Sequence, residues 1–403
     1  MMAAREVVFV DGARTGFGRM GGSLRDLCAT DLSALAVRGL LEKTKILERG
    51  KVDSLFCGTA AGDSKTLGPA RYTVLASGLP IETSASYVEM QCGSAIDSIN
   101  HAAWKMLAGE ADVMIAGGME SYSQMICKFP TSTAPYKNIA PAAIPQKLAP
   151  TLDQDITMLE VSDLMARRWG ISREECDEFA FQSQQRAGAA IAKGYFKEEI
   201  VPITLKMGKK LPDKVFAEDE HVRPDTTLEG LGKLKAVLGA DGVTTAGNAS
   251  GRNDGAAFVL MMTAQKAEEL GYEPYARWVC GADYGVEPRL MGIGPAYSNL
   301  MAIRRAGLSL KDIDVLECNE AFAAQNLSVI REMEAQSGIQ INRANWNPNG
   351  GAIAFGHPNG ASGARICMFA MKELARRGTR YGLFSSCCGG GHGVTTLIEN
   401  LRR

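Results

Sequence analysis

Cys92, in the segment EMQCGSAIDSI, is a candidate nucleophile because a stretch with helical spacing follows it. Apolar residues recur three or four positions apart at Ile96, Ile99, Ala103 and Met106. The N–H groups at the start of a helix stabilise negative charge, so this position favours a thiolate. A cysteine before a helix can equally be inert packing, and only its partners separate the two interpretations.

His357 stands in GGAIAFGHPNGASGAR, where five glycines fall between positions 350 and 363. Backbone of this kind is typical of a close approach to a ligand. Cys387 and Cys388 end a strand-like segment and precede three glycines, whose N–H groups could form an anion-binding nest or simply a tight turn. Asn319 precedes the helical segment AFAAQNLSVI and could position a water or an oxyanion, or only cap the helix.

Strand-like and helix-like segments alternate around these residues, and this alternation predicts an α/β layered fold. Strands are predicted at 6–12, 52–58, 112–118 and 256–262, and helices at 30–42 and 94–107. Residues 122–152 differ, since they hold five prolines and little periodicity. Charged helical stretches at 158–169 and 173–193 follow, so we interpret this region as a long insertion that covers something.

The second part of the chain repeats the first. IDVLECNEAF at 313–322 aligns with VDSLFCGTAA at 52–61, which places Cys318 on Cys57. His357 then takes the place of Cys92, and YGLFSSCCGGG that of DVMIAGG. An internal duplication predicts two similar halves around a pseudo-two-fold axis. Such an axis would bring Cys92, Asn319, His357 and Cys387 to one centre.

Composition excludes several classes of protein. Lys and Arg number 44 against 45 Asp and Glu, so the chain is not a broadly basic nucleic-acid binder. We find no secretory signal and no run of about 18 apolar residues, and therefore expect a cytoplasmic protein that does not span a membrane. Ten scattered cysteines without a CxxC, and only four histidines, do not predict a metal site.

The chain resembles the thiolase family, the acetyl-CoA C-acyltransferases, over nearly its whole length. The matching blocks are CGS (92–94), GGME (117–120), AGNASGRNDGAA (246–257), MGIGP (291–295), NEAFAAQ (319–325), GGAIAFGHPNGASGAR (350–365) and CCGGGHG (387–393). Ketoacyl synthases share the fold but pair the nucleophilic cysteine with two histidines. Here Asn319 stands at the second histidine position and a second cysteine is present, which favours a thiolase.

The resemblance implies a duplicated fold with two α/β halves in five layers (αβαβα) and an inserted loop domain. It places the N-terminal half at 1–120 plus 249–272, the loop domain that covers coenzyme A at 121–248, and the C-terminal half at 273–403. It also implies a homodimer or a dimer of dimers.

The resemblance also assigns roles. Cys92 attacks a thioester substrate to form an acyl-enzyme, and His357 takes the proton of Cys92. Cys387 is the acid and base at the α-carbon. Asn319 holds a water in one oxyanion hole, and the N–H groups of Cys92 and Gly389 form the other.

Coenzyme A is implied as co-substrate, without a permanently bound cofactor. Arg223 and Ser250 match positions that in the family contact the nucleotide and the pantetheine arm. Met158, Met291 and Phe322 match positions that line the pantetheine and acyl tunnel.

Several residues depart from the family pattern. The departures are Glu89, Ala95, Leu159, Asn359 and His392. The implied reaction is reversible thiolytic cleavage of a 3-oxoacyl-CoA to acetyl-CoA, or another acyl-CoA, and a shortened acyl-CoA. Because several departures lie near the acyl pocket, the acyl group could be bulky, branched or aromatic. The alternatives are a biosynthetic, acetoacetyl-CoA-forming thiolase, a benzoylsuccinyl-CoA-type thiolase subunit that needs a small accessory subunit, and a coenzyme-A-binding subunit without catalysis.

Overall fold

The computed structural model describes residues 5–130, 142–206 and 212–403. The strands found there are β1 (Val7–Thr15), β2 (Gly18–Arg19), β3 (Ser54–Gly58), β4 (Ser84–Val88), β5 (Val113–Ser121), β6 (Ile200–Val201), β7 (Ile203–Leu205), β8 (Lys214–Phe216), β9 (Asn253–Thr263), β10 (Ala276–Gly285), β11 (Ile313–Cys318), β12 (Tyr381–Cys388) and β13 (His392–Asn400).

The α-helices found in the same residues are α1 (Ala29–Thr44), α2 (Ile46–Arg49), α3 (Pro69–Ser77), α4 (Ser94–Leu107), α5 (Met158–Trp169), α6 (Arg173–Ala192), α7 (Leu228–Gly232), α8 (Ala264–Glu269), α9 (Gly294–Arg305), α10 (Ala323–Ser337), α11 (Ala352–Phe355) and α12 (Asn359–Arg377). Short 3₁₀ helices cover Gln91–Gly93, Pro288–Ile293 and Leu310–Asp312. No helix among the described residues combines the length and the apolar character that a membrane span requires.

The main sheet follows one path, β11-β12-β13-β10-β1-β9-β5-β3-β4. Read outward from its centre, β1-β9-β5-β3 has the same order as β10-β13-β12-β11, so the predicted duplication is present in the strand order. The two half-sheets join where β1 and β10 pair antiparallel, at Val8 with Arg277 and Phe9 with Ala276.

The register within each half fixes which residues correspond. Cys57 of β3 pairs with Gly117 of β5, and Cys318 of β11 pairs with Ser385 of β12. With Cys57 matched to Cys318, the next residues, Gly58 and Asn319, also correspond. Along β5 and β12, Gly118 then corresponds to Ser386 and Met119 corresponds to Cys387.

Two helices form the central layer. α4 and α12 pack against each other, α12 contacts β5 and β9 as well as β11 and β12, and α4 contacts both half-sheets. All residues from 360 to 374 of α12 are buried, as expected for a helix that is covered on every side. With α1 and α3 outside one half-sheet and α9 and α10 outside the other, the layers are αβαβα. The predicted duplicated α/β fold is confirmed.

The chain between β5 and β9 lies mostly outside the two half-sheets. It contains α5, α6, α7 and the hairpin β7–β8, and only the two-residue strand β6 joins the main sheet, beside β1. Capping boxes start α5 at Thr157 and Glu160, and α6 at Ser172 and Glu175. The helices predicted at 158–169 and 173–193 are therefore present, the second ending at Ala192.

Candidate active site

Cys92 lies in the tight turn that leads from β4 into α4 and is only 8% exposed. Gln91 adopts a left-handed φ of 47°, and its N–H donates to the carboxylate of Glu89 at 2.8 Å. The Ser94 hydroxyl accepts from the Met90 N–H at 2.9 Å and donates to the carbonyl of Gln91 at 2.7 Å. These bonds hold the sulfur at the amino end of α4, as the sequence predicts.

His357 lies at the amino end of α12, and its backbone is hydrogen-bonded to residues at the start of β9. Its N–H is 3.1 Å from both the Gly251 carbonyl and the Asn253 side-chain oxygen. On the ring, Nδ1 lies 2.7 Å from the Ser362 hydroxyl, which itself donates to the Pro358 carbonyl. Because the hydroxyl proton is used there, Nδ1 carries the ring proton and donates to Ser362. Nε2 is then left with a free lone pair.

Asn319 faces that lone pair, with its Nδ2 3.3 Å from Nε2 of His357. Its backbone N–H donates to the Ser385 carbonyl of β12 at 2.9 Å. The capping interpretation is wrong, because α10 begins only at Ala323. The side-chain oxygen of Asn319 is buried and has no hydrogen-bond partner among the described residues, so it is available to a water or a substrate.

Cys387, Cys388 and Gly389 end β12 beside Cys92. The backbone N–H groups of Cys92 and Gly389 are both within hydrogen-bonding reach of the Cys92 sulfur. Cys388 packs on the turn below, since a Cβ on Gly93 would lie 2.5 Å from its sulfur. Cys92 is therefore a neighbour of Cys387, and Asn319, whose backbone is bound to Ser385 two residues before Cys387, contacts His357. All four side chains are buried, and we refer to Cys92, Asn319, His357 and Cys387 together as the centre.

Burial governs the ionisation of this centre. Burial, and secondarily the carboxyl of Glu120, raise the pKa of Cys92 to about 12, although the N–H groups of Cys92 and Gly389 oppose the rise. Burial and the nearby Arg365 lower the pKa of His357 to about 3. Burial, and then the neighbouring Cys92, raise the pKa of Cys387 as well. The expectation that the helix terminus leaves a thiolate at Cys92 is wrong, because desolvation outweighs it. Burial thus favours a neutral thiol at Cys92 and a neutral imidazole at His357, and a neutral imidazole can act as a base.

Two supporting residues were missed in the sequence. Glu120 is buried, and its carboxylate accepts from the N–H groups of Ala60 at 3.0 Å, Ala61 at 3.3 Å and Gly360 at 3.1 Å. Ser362 sets the tautomer of His357. Glu120 lies in the block GGME and Ser362 in the block GGAIAFGHPNGASGAR, both matched by the resemblance, and these blocks are the signal that could have found them.

Four of the five residues expected to hold coenzyme A are linked to the centre by packing or a backbone bond. Met158, Met291 and Phe322 belong to one apolar cluster that also contains Cys387. The Ser250 N–H donates to the Ala321 carbonyl at 3.0 Å, beside Phe322. Arg223 is exposed, and its backbone N–H donates to the side chain of Gln184 at 2.8 Å.

The insertion touches the centre directly. A Cβ on Gly389 would lie 3.1 Å from the side chain of Leu148. Two large cavities in the described part of the chain, of about 690 and 910 Å³, are lined by neither Cys92, His357 nor Cys387. Leu148 therefore packs against the end of β12 beside the centre, and neither cavity is lined by these three residues.

Comparisons with known proteins agree with this geometry. The family model described as "Thiolase, N-terminal domain" matches residues 7–265, and "Thiolase, C-terminal domain" matches residues 272–400. The chain is 42% identical to 3-oxoadipyl-CoA/3-oxo-5,6-dehydrosuberyl-CoA thiolase of Escherichia coli (strain K12), over 98% of this chain and 100% of that protein. It is 40% identical to acetyl-CoA acetyltransferase of Chromobacterium violaceum, over 98% and 99%. The crystal structure of human mitochondrial 3-ketoacyl-CoA thiolase superposes with a TM-score of 0.89 at 38% identity, over 99% of each chain.

Proposed function

The chain belongs to the thiolase family, whose acyltransferases perform coenzyme-A-dependent thiolytic cleavage, and we propose that Cys92 carries the acyl group in this reaction. The observation that supports Cys92 is its position in the buried centre, beside the Gly389 N–H and the thiol of Cys387. His357 supplies a neutral imidazole whose Nε2 faces the same centre.

In the first half-reaction, Cys92 attacks the 3-oxo carbon of the acyl-CoA and passes its proton to Nε2 of His357. The N–H groups of Cys92 and Gly389 stabilise the oxyanion that forms on this carbon. The bond between C2 and C3 then breaks. The electron pair goes to C2, which takes a proton from Cys387, and acetyl-CoA leaves. Asn319 holds a water that stabilises the thioester oxygen of the departing acetyl-CoA as its enolate forms.

In the second half-reaction, coenzyme A attacks the acyl group on Cys92. Its thiol proton goes to Cys387, which the first half-reaction left deprotonated. The Cys92–acyl bond breaks, and Cys92 recovers its proton from His357. Each group returns to its starting state, so the scheme requires ping-pong kinetics.

We assign the coenzyme A path to the side of the centre that holds Ser250, Met158, Met291 and Phe322, with Arg223 at its outer end against the adenine nucleotide. Residues 121–248 form the loop domain over this path, with the two halves at 1–120 plus 249–272 and 273–403. The contact of Leu148 with Gly389 supports such a cover. No permanently bound cofactor takes part.

The acyl group that we propose is larger than that of acetoacetyl-CoA. The E. coli relative is named for 3-oxoadipyl-CoA and 3-oxo-5,6-dehydrosuberyl-CoA, and that name supports this class of acyl chain. A purely biosynthetic, acetoacetyl-CoA-forming role stays the alternative, because the reaction is reversible.

A second copy of the chain is the partner that we propose, at least as a homodimer. β4 is the last strand of its half-sheet, so one edge of it carries no strand in the described residues. Three of its five residues are exposed. A dimer of dimers, and a small accessory subunit of the kind that benzoylsuccinyl-CoA-type thiolases would need, remain testable by the mass of the purified assembly.

The decisive experiment captures the intermediate. Incubation with a 3-oxoacyl-CoA in the absence of free coenzyme A should add one acyl group to Cys92, detected by peptide mass spectrometry. Cys92→Ser should lose that adduct and about 10⁴-fold or more in kcat, as expected when a covalent nucleophile is removed. Cys127→Ser, at an exposed cysteine, is the matched control and should retain both. A folded wild-type protein that binds acyl-CoA but never labels Cys92 would instead be a non-catalytic coenzyme-A-binding subunit.

A further inference from the structure

Arg252 occupies a position that the reaction scheme does not use. It lies between Gly251 and Asn253, both of which hold the backbone N–H of His357. Its own backbone pairs with His357, and its carbonyl accepts from the Met20 N–H at 3.1 Å. The side chain is exposed, so the guanidinium is accessible to a ligand while its backbone is fixed to the catalytic imidazole.

Tyr122 connects this guanidinium with the nucleophile. The carbon of the Arg252 guanidinium lies 5.6 Å from the centroid of the Tyr122 ring, a cation–π distance. Tyr122 is half-buried, and its pKa is raised by burial and then by the neighbouring Cys92 and Glu120. Tyr122 is therefore a neighbour of both the Arg252 guanidinium and Cys92.

No carboxylate neutralises Arg252. Among residues 5–130, 142–206 and 212–403 it forms no salt bridge, and residues 131–141 and 207–211 contain no Asp or Glu. The nearest carboxylate along the strand, Asp254, accepts instead from the hydroxyl groups of Ser121 and Ser123 and from the Ser123 N–H. The carboxylate of the buried Glu120 also lies near the Tyr122 ring, and it is bound to backbone N–H groups. Arg252 is thus an unpaired cation at the edge of the centre.

We propose that Arg252, supported by Tyr122, binds a carboxylate on the acyl group of the 3-oxoacyl-CoA substrate. A guanidinium suits this task because its planar fork of donors matches a carboxylate. The inference rests on the proposed function, since it names the class of acyl group that Cys92 receives. Coenzyme A is the other source of anions. The attachment of Arg252 to His357 and Tyr122 favours the acyl group, because the nucleotide is assigned to Arg223 at the outer end of the path.

The test compares two substrates of equal carbon number, 3-oxoadipyl-CoA and 3-oxohexanoyl-CoA, which differ in a terminal carboxylate or methyl group. Wild-type enzyme should prefer the carboxylated substrate. In Arg252→Leu, the ratio of the two kcat/KM values should fall about 10- to 100-fold, the range expected when one charged hydrogen-bonding pair is lost. Arg252→Lys should restore part of the ratio, and Arg304→Leu, at an exposed arginine near the end of α9, should leave it unchanged.

Two results would overturn the proposal. An equal loss of kcat/KM with both substrates would leave the ratio unchanged and assign the guanidinium to coenzyme A. No loss with either substrate would show that Arg252 contacts neither the acyl group nor coenzyme A. Mass spectrometry that detects acylation of Cys92 by 3-oxohexanoyl-CoA separates a failure of the Arg252 proposal from a failure of the proposed function. Acylated Cys92 with an unchanged ratio refutes only the role of Arg252, whereas a wild-type enzyme that acylates Cys92 with neither substrate refutes the nucleophile.

Discussion

The two halves of the molecule share one strand order but contribute different chemistry to the centre. In the register of the repeat, Gly58 of the N-terminal half corresponds to Asn319, and Met119 corresponds to Cys387. The N-terminal half thus supplies the nucleophile, Cys92, whereas the C-terminal half supplies the imidazole, the amide and the second thiol. Duplication alone would have produced two equivalent sets.

Close packing explains why one half lost its side chains. A Cβ on Gly58 would lie 2.4 Å from the Ser94 backbone, and a Cβ on Gly118 would lie 1.9 Å from the carbonyl oxygen of Gly360. At the positions equivalent to these glycines, the C-terminal half has room for Asn319 and Ser386. Gly58 thus allows close packing within the N-terminal half, and Gly118 allows the backbones of the two halves to approach each other at Gly360.

Replacing Cys387 should have the largest effect on this division. In Cys387→Ala the carbanion has no acid, so kcat for cleavage of a 3-oxoacyl-CoA should fall about 10²- to 10⁴-fold, the usual contribution of a general acid. Transfer of an acetyl group from acetyl-CoA to Cys92 uses Cys387 only to protonate the departing coenzyme A. Because a thiolate leaves far more easily than a carbanion, this step should fall much less. Steady-state cleavage and mass-spectrometric acylation measure the two steps.

Cys388→Ala is the matched control for Cys387→Ala. Cys388 is the adjacent buried cysteine, at the position where the N-terminal half carries Glu120, and its replacement should preserve most of the cleavage. If Cys387→Ala slowed acylation and cleavage equally, the thiol would be structural and the division of labour between the halves would fail.

Gly118→Ala tests the close approach. The added methyl group meets backbone, which cannot rotate away, so unfolding free energy should fall by about 3 kcal/mol. Ser386→Ala, at the equivalent position of the other half, loses one hydroxyl that donates to the Cys387 carbonyl and should cost only about 1 kcal/mol. Gly68→Ala, where nothing lies within 4 Å, is the control. Denaturant midpoints measure all three, and equal losses for Gly118→Ala and Ser386→Ala would show that the halves pack alike.

The sequence predicted the strands and helices better than it predicted the protonation states of the residues in the centre. Strands and helices followed from periodicity, and the duplicated strand order followed from the repeat. The convergence of Cys92, Asn319, His357 and Cys387 stays a prediction, supported by the pairs Cys92–Cys387 and Asn319–His357. The protonation of Cys92 did not, because desolvation depends on the cover that the rest of the fold provides. Glu120 and Ser362 were missed for a related reason, since their partners are backbone groups distant in sequence or a ring whose tautomer no sequence pattern reveals.

Replacing Glu120 should have the smallest effect, and it tests how the N-terminal half positions the start of α12 in the C-terminal half. Its carboxylate joins the loop after β3 to the Gly360 N–H at the start of α12, and burial raises its pKa to about 7. The folded protein therefore binds this proton more tightly than the unfolded chain, where the pKa is about 4.3. The contribution of this proton to the free energy of unfolding is complete below about pH 4 and is lost as the pH rises through about 7.

Glu120→Gln should remove that pH dependence. The difference in unfolding free energy between wild type and Glu120→Gln should shift by about 2 kcal/mol in favour of the variant between pH 5 and pH 8, as the lost linkage requires. Glu110→Gln, at an exposed turn residue, should follow wild type throughout. Ala60 and Gly360 donate to one carboxylate oxygen and Ala61 donates to the other, so the single amide oxygen of glutamine cannot serve all three N–H groups. The variant should therefore also slow acylation of Cys92 by loosening the contacts between the loop after β3 and the start of α12. A difference that does not change with pH would mean that Glu120 stays ionised, and that the N-terminal half holds the imidazole with a permanent charge.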